Sequence, residues 1–427
     1  MTTARRSFAW NALALSAAQL ASPVLNATFT ILLARRAGPE ILGRYSLLIT
    51  AFLVVDQLRL FGLQRLVTRE LAAERPGALE LYHGFLRIAD IAGVAGAAIL
   101  AAYGLSAGIP AAAVLALAAG LAPSARVWAN DAVFLSTGRA DYTTRVVVIE
   151  GSARSLASIA ILWWLDANLT ALSVVYAGGR LLAAGVGARY RRRLVGAVPA
   201  TSSGPASRRL LPYMPDFFAV TALPLLLLRA DVLVVGLTAG ARDLGLYGAA
   251  SKLVAIMLLL PDGIMLANFA RLSRATDISA LRRIVTHLAG LALAVLVPMA
   301  LAVSLLAGRL TSLVYGAPFA DSARYLGWLI WSVPLFVLCR TFGDALVATG
   351  HQRRLALVII TTGAASVPLY VWLTGALGPL GAAIAYLGSL SILLAASVSA
   401  MKPVRTLVVA PVMRLDGVVS DLPVESR

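Results

Sequence analysis

Two charged residues lie inside a long apolar run, and their spacing limits what they can contact. Arg229 and Asp231 occur within residues 223–237, which are otherwise apolar. Side chains two residues apart on a helix point to nearly opposite sides, so these two cannot satisfy each other. A charge near the middle of a membrane helix costs roughly 2.5 to 3.5 kcal/mol unless it faces protein or water. The pair therefore predicts a polar interior in which each residue finds a partner on another helix.

The whole chain has the composition of a polytopic membrane protein. Of its 427 residues, 59% are hydrophobic and 13% are charged, and the mean hydropathy is +0.84. This composition excludes a soluble enzyme. The net charge of +17 falls in short clusters between apolar segments, as the positive-inside rule requires, so we expect no nucleic-acid partner. The histidines lack metal-ligand spacing, and we expect no metal and no cofactor.

Apolar segments of spanning length follow one another along the chain and predict twelve transmembrane helices. In chain order, these spans cover roughly 8–33, 43–64, 84–105, 111–137, 143–165, 169–189, 212–237, 245–270, 284–306, 322–349, 355–375 and 379–401. Most Lys and Arg residues near span ends fall on the side of the N-terminus. Both termini are therefore predicted to be cytoplasmic. Arg35 and Arg36, in the first outer loop, depart from this rule.

Short motifs recur in the same order in the two halves of the chain. Gly38 and the Leu-Gly-Arg-Tyr motif at 42–45 recur as Gly240 and Leu-Gly-Leu-Tyr at 244–247. Because six crossings return the chain to its starting side, the two repeats are predicted to be parallel six-helix lobes. The predicted division is an N-terminal lobe at 1–190, a flexible cytoplasmic linker at 191–211, a C-terminal lobe at 212–402 and a cytoplasmic tail at 403–427.

Several stretches carry a resemblance to a known family. They are residues 33–46 and 61–70, Arg229-Ala-Asp231 with residues 245–252, and residues 378–386. Together they resemble bacterial polysaccharide transporters, the Wzx-type lipid-linked oligosaccharide flippases, over about residues 8–401. The resemblance implies the all-α fold of the multidrug/oligosaccharidyl-lipid/polysaccharide exporter superfamily, with two lobes around a central cavity.

The same resemblance implies a function and a location. A Wzx-type protein would move an undecaprenyl-pyrophosphate-linked oligosaccharide to the outer leaflet of the bacterial inner membrane by alternating access. It would not be an enzyme. Its partners would be the lipid-linked substrate, membrane lipids and polysaccharide assembly proteins.

Charged residues inside the spans are the candidate site residues. The candidates for substrate binding are Arg59, Arg126, Arg154, Arg229, Lys252 and Arg340. An arginine suits a pyrophosphate because its planar guanidinium can donate two hydrogen bonds to one phosphate. The alternative is pairing within a helix, which the spacing permits for Asp56 with Arg59, Glu150 with Arg154, and Arg340 with Asp344. Arg126, Arg229 and Lys252 have no such partner, which favours a cavity position for them.

Acidic residues inside the spans are candidates for coupling transport to an ion gradient. The candidates for coupling or charge pairing are Asp56, Asp231, Asp262 and Asp344. An inside-negative potential favours outward movement of an anion by about 2.3 kcal/mol per charge per 100 mV. No carboxylate pair suggests a proton relay, so we expect the potential to contribute more than a proton gradient, with Asp231 and Asp262 as the coupling alternatives.

Two other functions remain open from the sequence. A drug or cation antiporter of the same superfamily would be expected to hold a carboxylate in its first lobe, yet span one contains none. A membrane glycan polymerase or ligase would need acceptor-handling outer loops, and the predicted outer loops are mostly short, without paired catalytic carboxylates.

The predicted topology can be tested with reporter fusions. A fusion after Arg193 and one at the C-terminus should both report a cytoplasmic position, because an even number of spans precedes each. A fusion near Gly108 should report an external position. An external signal at Arg193 would contradict the two-repeat arrangement.

Overall fold

The computed structural model describes residues 2–73, 78–196, 203–273 and 277–401, and this part of the chain is helical without strands. Side chains are not described for residues 2–21, 79, 203–206, 216, 219–228, 259–260, 262–271, 273, 278 and 352. The α-helices are α1 Thr2–Leu58, α2 Leu63–Ala72, α3 Ala78–Ser106, α4 Ala111–Ala119, α5 Leu121–Ser136, α6 Ala140–Trp164, α7 Leu169–Val195, α8 Ser203–Leu210, α9 Met214–Thr238, α10 Ala241–Ser273, α11 Ile278–Leu305, α12 Ala307–Tyr315, α13 Ser322–Leu329, α14 Ser332–Ala348, α15 Gln352–Leu377 and α16 Pro379–Met401.

Helix α1 contains the first two predicted spans, divided at Gly38. The φ of Gly38 is 75°, a left-handed value that interrupts the helix. The rings of Phe29 and Tyr45 lie 5.4 Å apart, whereas a straight helix would separate these residues by about 24 Å. The arm before Gly38 and the arm after it therefore form a hairpin. We call the side that Gly38 reaches the outer side, following the predicted topology, and the opposite side the inner side.

The described part of the chain supports twelve membrane-spanning helices, as predicted. Nine of its helices are long and apolar enough to cross a membrane, and one of these is α1, which provides two crossings. Helices α9 and α10 occupy the seventh and eighth predicted spans. Two predicted spans are interrupted: the fourth is split at Gly120 into α4 and α5, and the tenth is split between α13 and α14.

The second span is shorter than predicted. Its helix ends at Leu58, because Phe61 and Gly62 adopt left-handed φ values of 49° and 66°. Arg59 consequently lies in the turn that connects this span to α2, just after the end of a helix and not in its middle. This position decides the role of Arg59 described below.

The connection between the halves contains more helix than a flexible linker would. Helix α7 continues to Val195, and α8 covers Ser203–Leu210. Leu210 is 1% exposed and packs with Leu60, Leu63 and neighbouring apolar residues of the N-terminal lobe. The apolar contact of Leu210 fixes this end of the connection on the lobe. The predicted tail at 403–427 lies outside the described residues.

The apolar core differs between the two sides of the described structure. On the outer side, one continuous cluster contains residues of both lobes, including Phe29, Leu42, Val235 and Leu246. On the inner side, separate clusters occur: one includes Leu60, Phe85 and Val133 of the N-terminal lobe, and another includes Leu272, Leu281 and Val285 of the C-terminal lobe. The two lobes therefore share one apolar core at the outer side, and each lobe has a separate apolar core at the inner side.

Two glycines allow the lobes to meet closely at the outer side. A Cβ atom on Gly43 would overlap the carbonyl oxygen of Ala241, and one on Gly245 would overlap the carbonyl oxygen of Pro39. Gly43 and Gly245 occupy equivalent positions in the two sequence repeats, and so do Pro39 and Ala241. The contact is therefore reciprocal, as expected for repeats related by an axis along the membrane normal.

Substitution of Gly245 tests this close contact. Gly245→Ala should lower the free energy of unfolding by about 1 to 3 kcal/mol, because the added methyl group meets backbone atoms that cannot move independently. Thermal unfolding of the purified protein in detergent should show a lower Tm. Gly240→Ala is the matched control, since nothing lies within 4 Å of a Cβ atom there. Equal Tm values for the two variants would contradict the described contact.

Candidate functional site

The turn after the second span places Arg59 in a buried hydrogen-bond network. Arg59 donates from Nε (3.0 Å) and Nη2 (2.5 Å) to Oδ1 of Asp56, and from Nη1 and Nη2 to the carbonyl oxygens of Ala89 (3.0 Å) and Leu121 (2.6 Å). The side chains of Arg59 and Asp56 are 2% and 3% exposed. Arg59 thus pairs with Asp56, as the spacing permits, and its guanidinium is buried and already bonded, which favours a structural role over contact with a substrate.

The network continues through the other oxygen of Asp56. Oδ2 accepts from the hydroxyl of Ser124 at 2.6 Å and from the indole nitrogen of Trp128 at 2.9 Å. Ser124 Oγ in turn accepts from Nη2 of Arg180 at 2.7 Å. Arg180 Nη1 donates to Oε2 of Glu150 at 2.9 Å. The network thus joins α1, α5, α6 and α7 inside the N-terminal lobe.

Arg154 is attached to the same network. Its Nη1 lies 3.4 Å from Oε1 of Glu150, and its guanidinium lies 4.6 Å from the centroid of the Tyr176 ring. The predicted pair of Glu150 with Arg154 is confirmed, but the closer cation to Glu150 is Arg180. The interior of this lobe therefore contains three arginines and two carboxylates in contact with one another, which leaves a net charge of +1.

Two further arginines have carboxylate partners. Arg126 makes a bidentate pair with Asp90 of α3, at 2.6 Å and 3.0 Å, which the sequence did not predict. Arg340 donates from Nε to Oδ2 of Asp344 at 3.3 Å, as the pairing alternative predicted. The Arg340 pair lines a cavity of about 230 Å³ within the C-terminal lobe, beside Thr362. Arg126 and Arg340 are both more than two-fifths exposed, but each is paired with a carboxylate.

Asp231 points into the C-terminal lobe, away from Arg229. It is 5% exposed, and its Oδ2 accepts from the hydroxyl of Tyr247 at 2.8 Å. Its Oδ1 is buried and has no hydrogen-bond partner in the described structure. Asp231 is therefore a buried carboxylate that makes no ion-pair contact with a described cation, although the charge of Arg229 acts on it. The side chain of Asp262 lies outside the described residues.

Lys252 faces the other lobe. Its Nζ donates to Ser46 Oγ at 2.8 Å and lies 5.9 Å from the centroid of the Tyr45 ring. It lines a cavity of about 190 Å³ between α1 and α10, opposite Asn26 and Thr30. Neither a carboxylate partner for Lys252 nor a carboxylate lining this cavity occurs among the described residues. The cavity is therefore a positively charged site between the lobes.

Arg229 lies on the face of α9 that meets the N-terminal lobe. One turn toward the outer side on this face, the carbonyl of Leu233 accepts from the Tyr103 hydroxyl at 2.8 Å. A Cβ atom on Gly236, a further turn along, would overlap the side chain of Leu47. Arg229 itself is exposed. Because i and i+4 residues share a helix face, Arg229 lies on the side of α9 that is nearer the N-terminal lobe. Its charge also acts on Asp231 and Tyr386 of the C-terminal lobe.

Two charged residues that matter in the structure were not among the sequence candidates. Arg180 and Asp90 both lie within apolar spans. Arg180 has no acidic residue at the spacing that pairs side chains within its own helix, whereas Asp90 has Arg87 three residues before it. The criterion that selected Arg126 and Arg229 would therefore also have selected Arg180. Nothing in the sequence indicates which cation pairs with which carboxylate, because these partners lie on different helices.

Comparisons with known proteins identify the fold. No protein-family model and no curated protein matches the sequence. Among solved structures, the chain is similar to one described as lipid II flippase MurJ in an inward closed conformation, with a TM-score of 0.74, 12% identity, and 91% of this chain and 87% of that chain covered. It is also similar to an inward-facing multidrug resistance MATE family transporter of the MOP superfamily, with a TM-score of 0.71, 13% identity, and coverage of 89% and 93%.

A third similar structure comes from Pyrococcus furiosus. It is described as a MOP superfamily transporter whose binding pocket has reverse polarity, and it matches with a TM-score of 0.59, 13% identity, and coverage of 90% and 91%. The chain therefore has the all-α fold of MOP superfamily transporters, with 12 transmembrane helices. At these identities, the similarity establishes the fold alone.

The N-terminal network predicts that Arg180 stabilises the fold. Arg180→Ala leaves buried Glu150 with only the longer contact to Arg154, and breaking a buried ion pair costs about 3 to 5 kcal/mol. We expect a strongly reduced yield of monodisperse protein and a lower Tm. Arg180→Lys should recover part of the stability, because it keeps the charge but loses the forked geometry. An Arg180→Ala protein with normal Tm and no transport would instead indicate a substrate contact.

Proposed function

We propose that this chain is a flippase that moves a lipid-linked oligosaccharide from the cytoplasmic to the outer leaflet. The proposed substrate is an undecaprenyl-pyrophosphate-linked repeat unit of O-antigen, capsule or exopolysaccharide. The proposed location is the bacterial inner membrane, with both termini cytoplasmic. The substrate and membrane lipids are the primary partners, and polysaccharide assembly proteins are further proposed partners.

The observation that carries this proposal is that two basic residues near the gap between the lobes make no ion-pair contact among the described residues. Arg229 is exposed on the face of α9 that meets the N-terminal lobe, and Lys252 lines the cavity between α1 and α10. In the part of the chain that the structure describes, neither makes an ion-pair contact with a carboxylate. The charge of Arg229 does act on Asp231, two residues away, which points into the C-terminal lobe. Charges at membrane depth are costly unless they serve a function or face water. A substrate that carries negative charge would supply the missing partner.

The chemistry of the two cations fits a phosphate group. The Arg229 guanidinium can donate two parallel hydrogen bonds to phosphate oxygens, and the Lys252 ammonium adds a compact charge. The sugar can remain in the hydrated gap, while the prenyl chain stays in the lipid phase. Movement of the two lobes about the outer contact then exposes the site to one side of the membrane at a time, as in other transporters built from repeats.

A drug or cation antiporter is the second candidate, and one observation favours it. Asp231 is buried with an unpaired oxygen, as a residue that exchanges a proton or a metal cation would be. The orientation of Asp231 into the C-terminal lobe, away from the gap, fits coupling better than contact with a transported drug. The two candidates differ in what they move: an antiporter exports an organic cation, whereas the flippase moves an anionic lipid.

Arg229 is the residue whose replacement tests the proposed function. Arg229→Ala should lower flipping by roughly tenfold or more, since a hydrogen bond to a charged group contributes about 1.5 to 3 kcal/mol. Folded yield and Tm should stay near wild type, because Arg229 is exposed and makes no described ion pair. Arg229→Lys should recover only part of the rate. The measurement is flipping of a lipid-linked oligosaccharide by purified protein in vesicles. A parallel loss of rate and Tm would indicate a structural ion pair instead.

A further inference from the structure

The two lobes differ in how their interior cations are used. Within the described N-terminal lobe, every arginine that the sequence placed at membrane depth has a carboxylate partner. These pairs are Arg59 with Asp56, Arg126 with Asp90, and Arg154 with Glu150. Arg180, in the same lobe, also pairs with Glu150. The C-terminal lobe also contains one such pair, Arg340 with Asp344, but it presents Arg229 and Lys252 to the gap without a described ion-pair contact to a carboxylate.

We propose that the phosphate groups of the substrate are bound by the C-terminal lobe alone, through Arg229 and Lys252. This inference rests on the proposed function, and it adds which lobe carries the anion. The described residues of the N-terminal lobe that line the Lys252 cavity are uncharged, including Asn26 and Thr30. The lipid phosphate is therefore held on α9 and α10 and moves with them.

The two cations lie at similar depths on neighbouring helices. Arg229 precedes the outer end of α9, at Thr238, by about 14 Å, and Lys252 follows the outer end of α10, at Ala241, by about 16 Å. Helices α9 and α10 pack against each other, and packed helices lie about 8 to 10 Å apart. Long Arg and Lys side chains can span that separation and converge on one diphosphate.

The repeat shows that this arrangement is specific to one lobe. The position equivalent to Lys252 in the N-terminal repeat is Thr50, and the position equivalent to Arg229 is Ala27. Thr50 and Ala27 are both uncharged, whereas the close glycine contact at the outer side occurs in both repeats. The duplicated lobes therefore share their contact surface and differ in the charge beneath it.

Binding of the phosphate by one lobe would make separation of the two lobes easier during transport. If both lobes held the phosphate, separation of the lobes would have to break a charged contact within the membrane, where such contacts are strong. With both cations on α9 and α10, the lobes can separate while the phosphate keeps its partners. Lys252 still contacts Ser46 when the outer ends are closed. That neutral hydrogen bond is the only described polar contact of Lys252 that must break.

The proposal can be tested by measuring the binding of farnesyl diphosphate to the purified full-length protein in detergent. Farnesol, which has the same chain without phosphate, is the matched ligand. In isothermal titration calorimetry, Arg229→Ala and Lys252→Thr should each weaken farnesyl diphosphate binding by roughly tenfold or more, as expected for loss of a charged hydrogen bond. Farnesol binding should stay the same in both variants.

The matched control removes charge from the N-terminal lobe. The double variant Asp90→Asn with Arg126→Gln replaces a partly exposed ion pair without leaving either charge unpaired. It should bind farnesyl diphosphate as the wild type does. Loss of diphosphate binding in the double variant, with retention in Lys252→Thr and Arg229→Ala, overturns the one-lobe assignment but leaves the proposed function standing. Equal affinity of the wild type for farnesyl diphosphate and farnesol overturns the proposed function itself.

Discussion

A charge placed inside a membrane must find a partner or water, and this constraint accounts for most of the polar structure in the protein. In the N-terminal lobe, the constraint is met internally, because Asp56 and Glu150 bind the arginines around them. In the C-terminal lobe, Arg340 pairs with Asp344, whereas Arg229 and Lys252 face the gap, where Lys252 donates to Ser46 of the other lobe. The same physical rule therefore produces a closed network in one lobe and an accessible cationic surface in the other.

The contact at the outer ends gives this surface its position. Gly43 and Gly245 allow backbone atoms of the two lobes to meet, and a shared apolar cluster surrounds the crossing. Arg35 strengthens the same region by donating to the carbonyl oxygens of Leu313 (2.5 Å) and Val314 (2.8 Å) at the end of α12. This role explains why an arginine occurs in an outer loop that the positive-inside rule would leave neutral. The cations lie just beneath a closed end.

The sequence predicted the fold better than it predicted the site. Span number, the duplication and the pairs Asp56–Arg59 and Arg340–Asp344 follow from periodicity and spacing within one helix, which the sequence contains directly. The break after Leu58 escaped prediction because Phe61 takes a left-handed conformation that phenylalanine rarely adopts. The partner of Arg126 escaped because Asp90 lies on another helix, and helix packing cannot be read from one sequence.

The central claim is that the protein moves an anionic lipid-linked sugar, and reconstitution tests it most directly. Purified protein would be placed in vesicles whose inner leaflet contains a polyprenyl-diphosphate-linked oligosaccharide, and a glycosidase added outside would report the fraction that becomes accessible. If the protein is a flippase, this fraction should rise with protein present and stay constant in protein-free vesicles. A constant fraction, together with export of an organic cation in response to an imposed pH or sodium gradient, would contradict flippase activity and identify an antiporter.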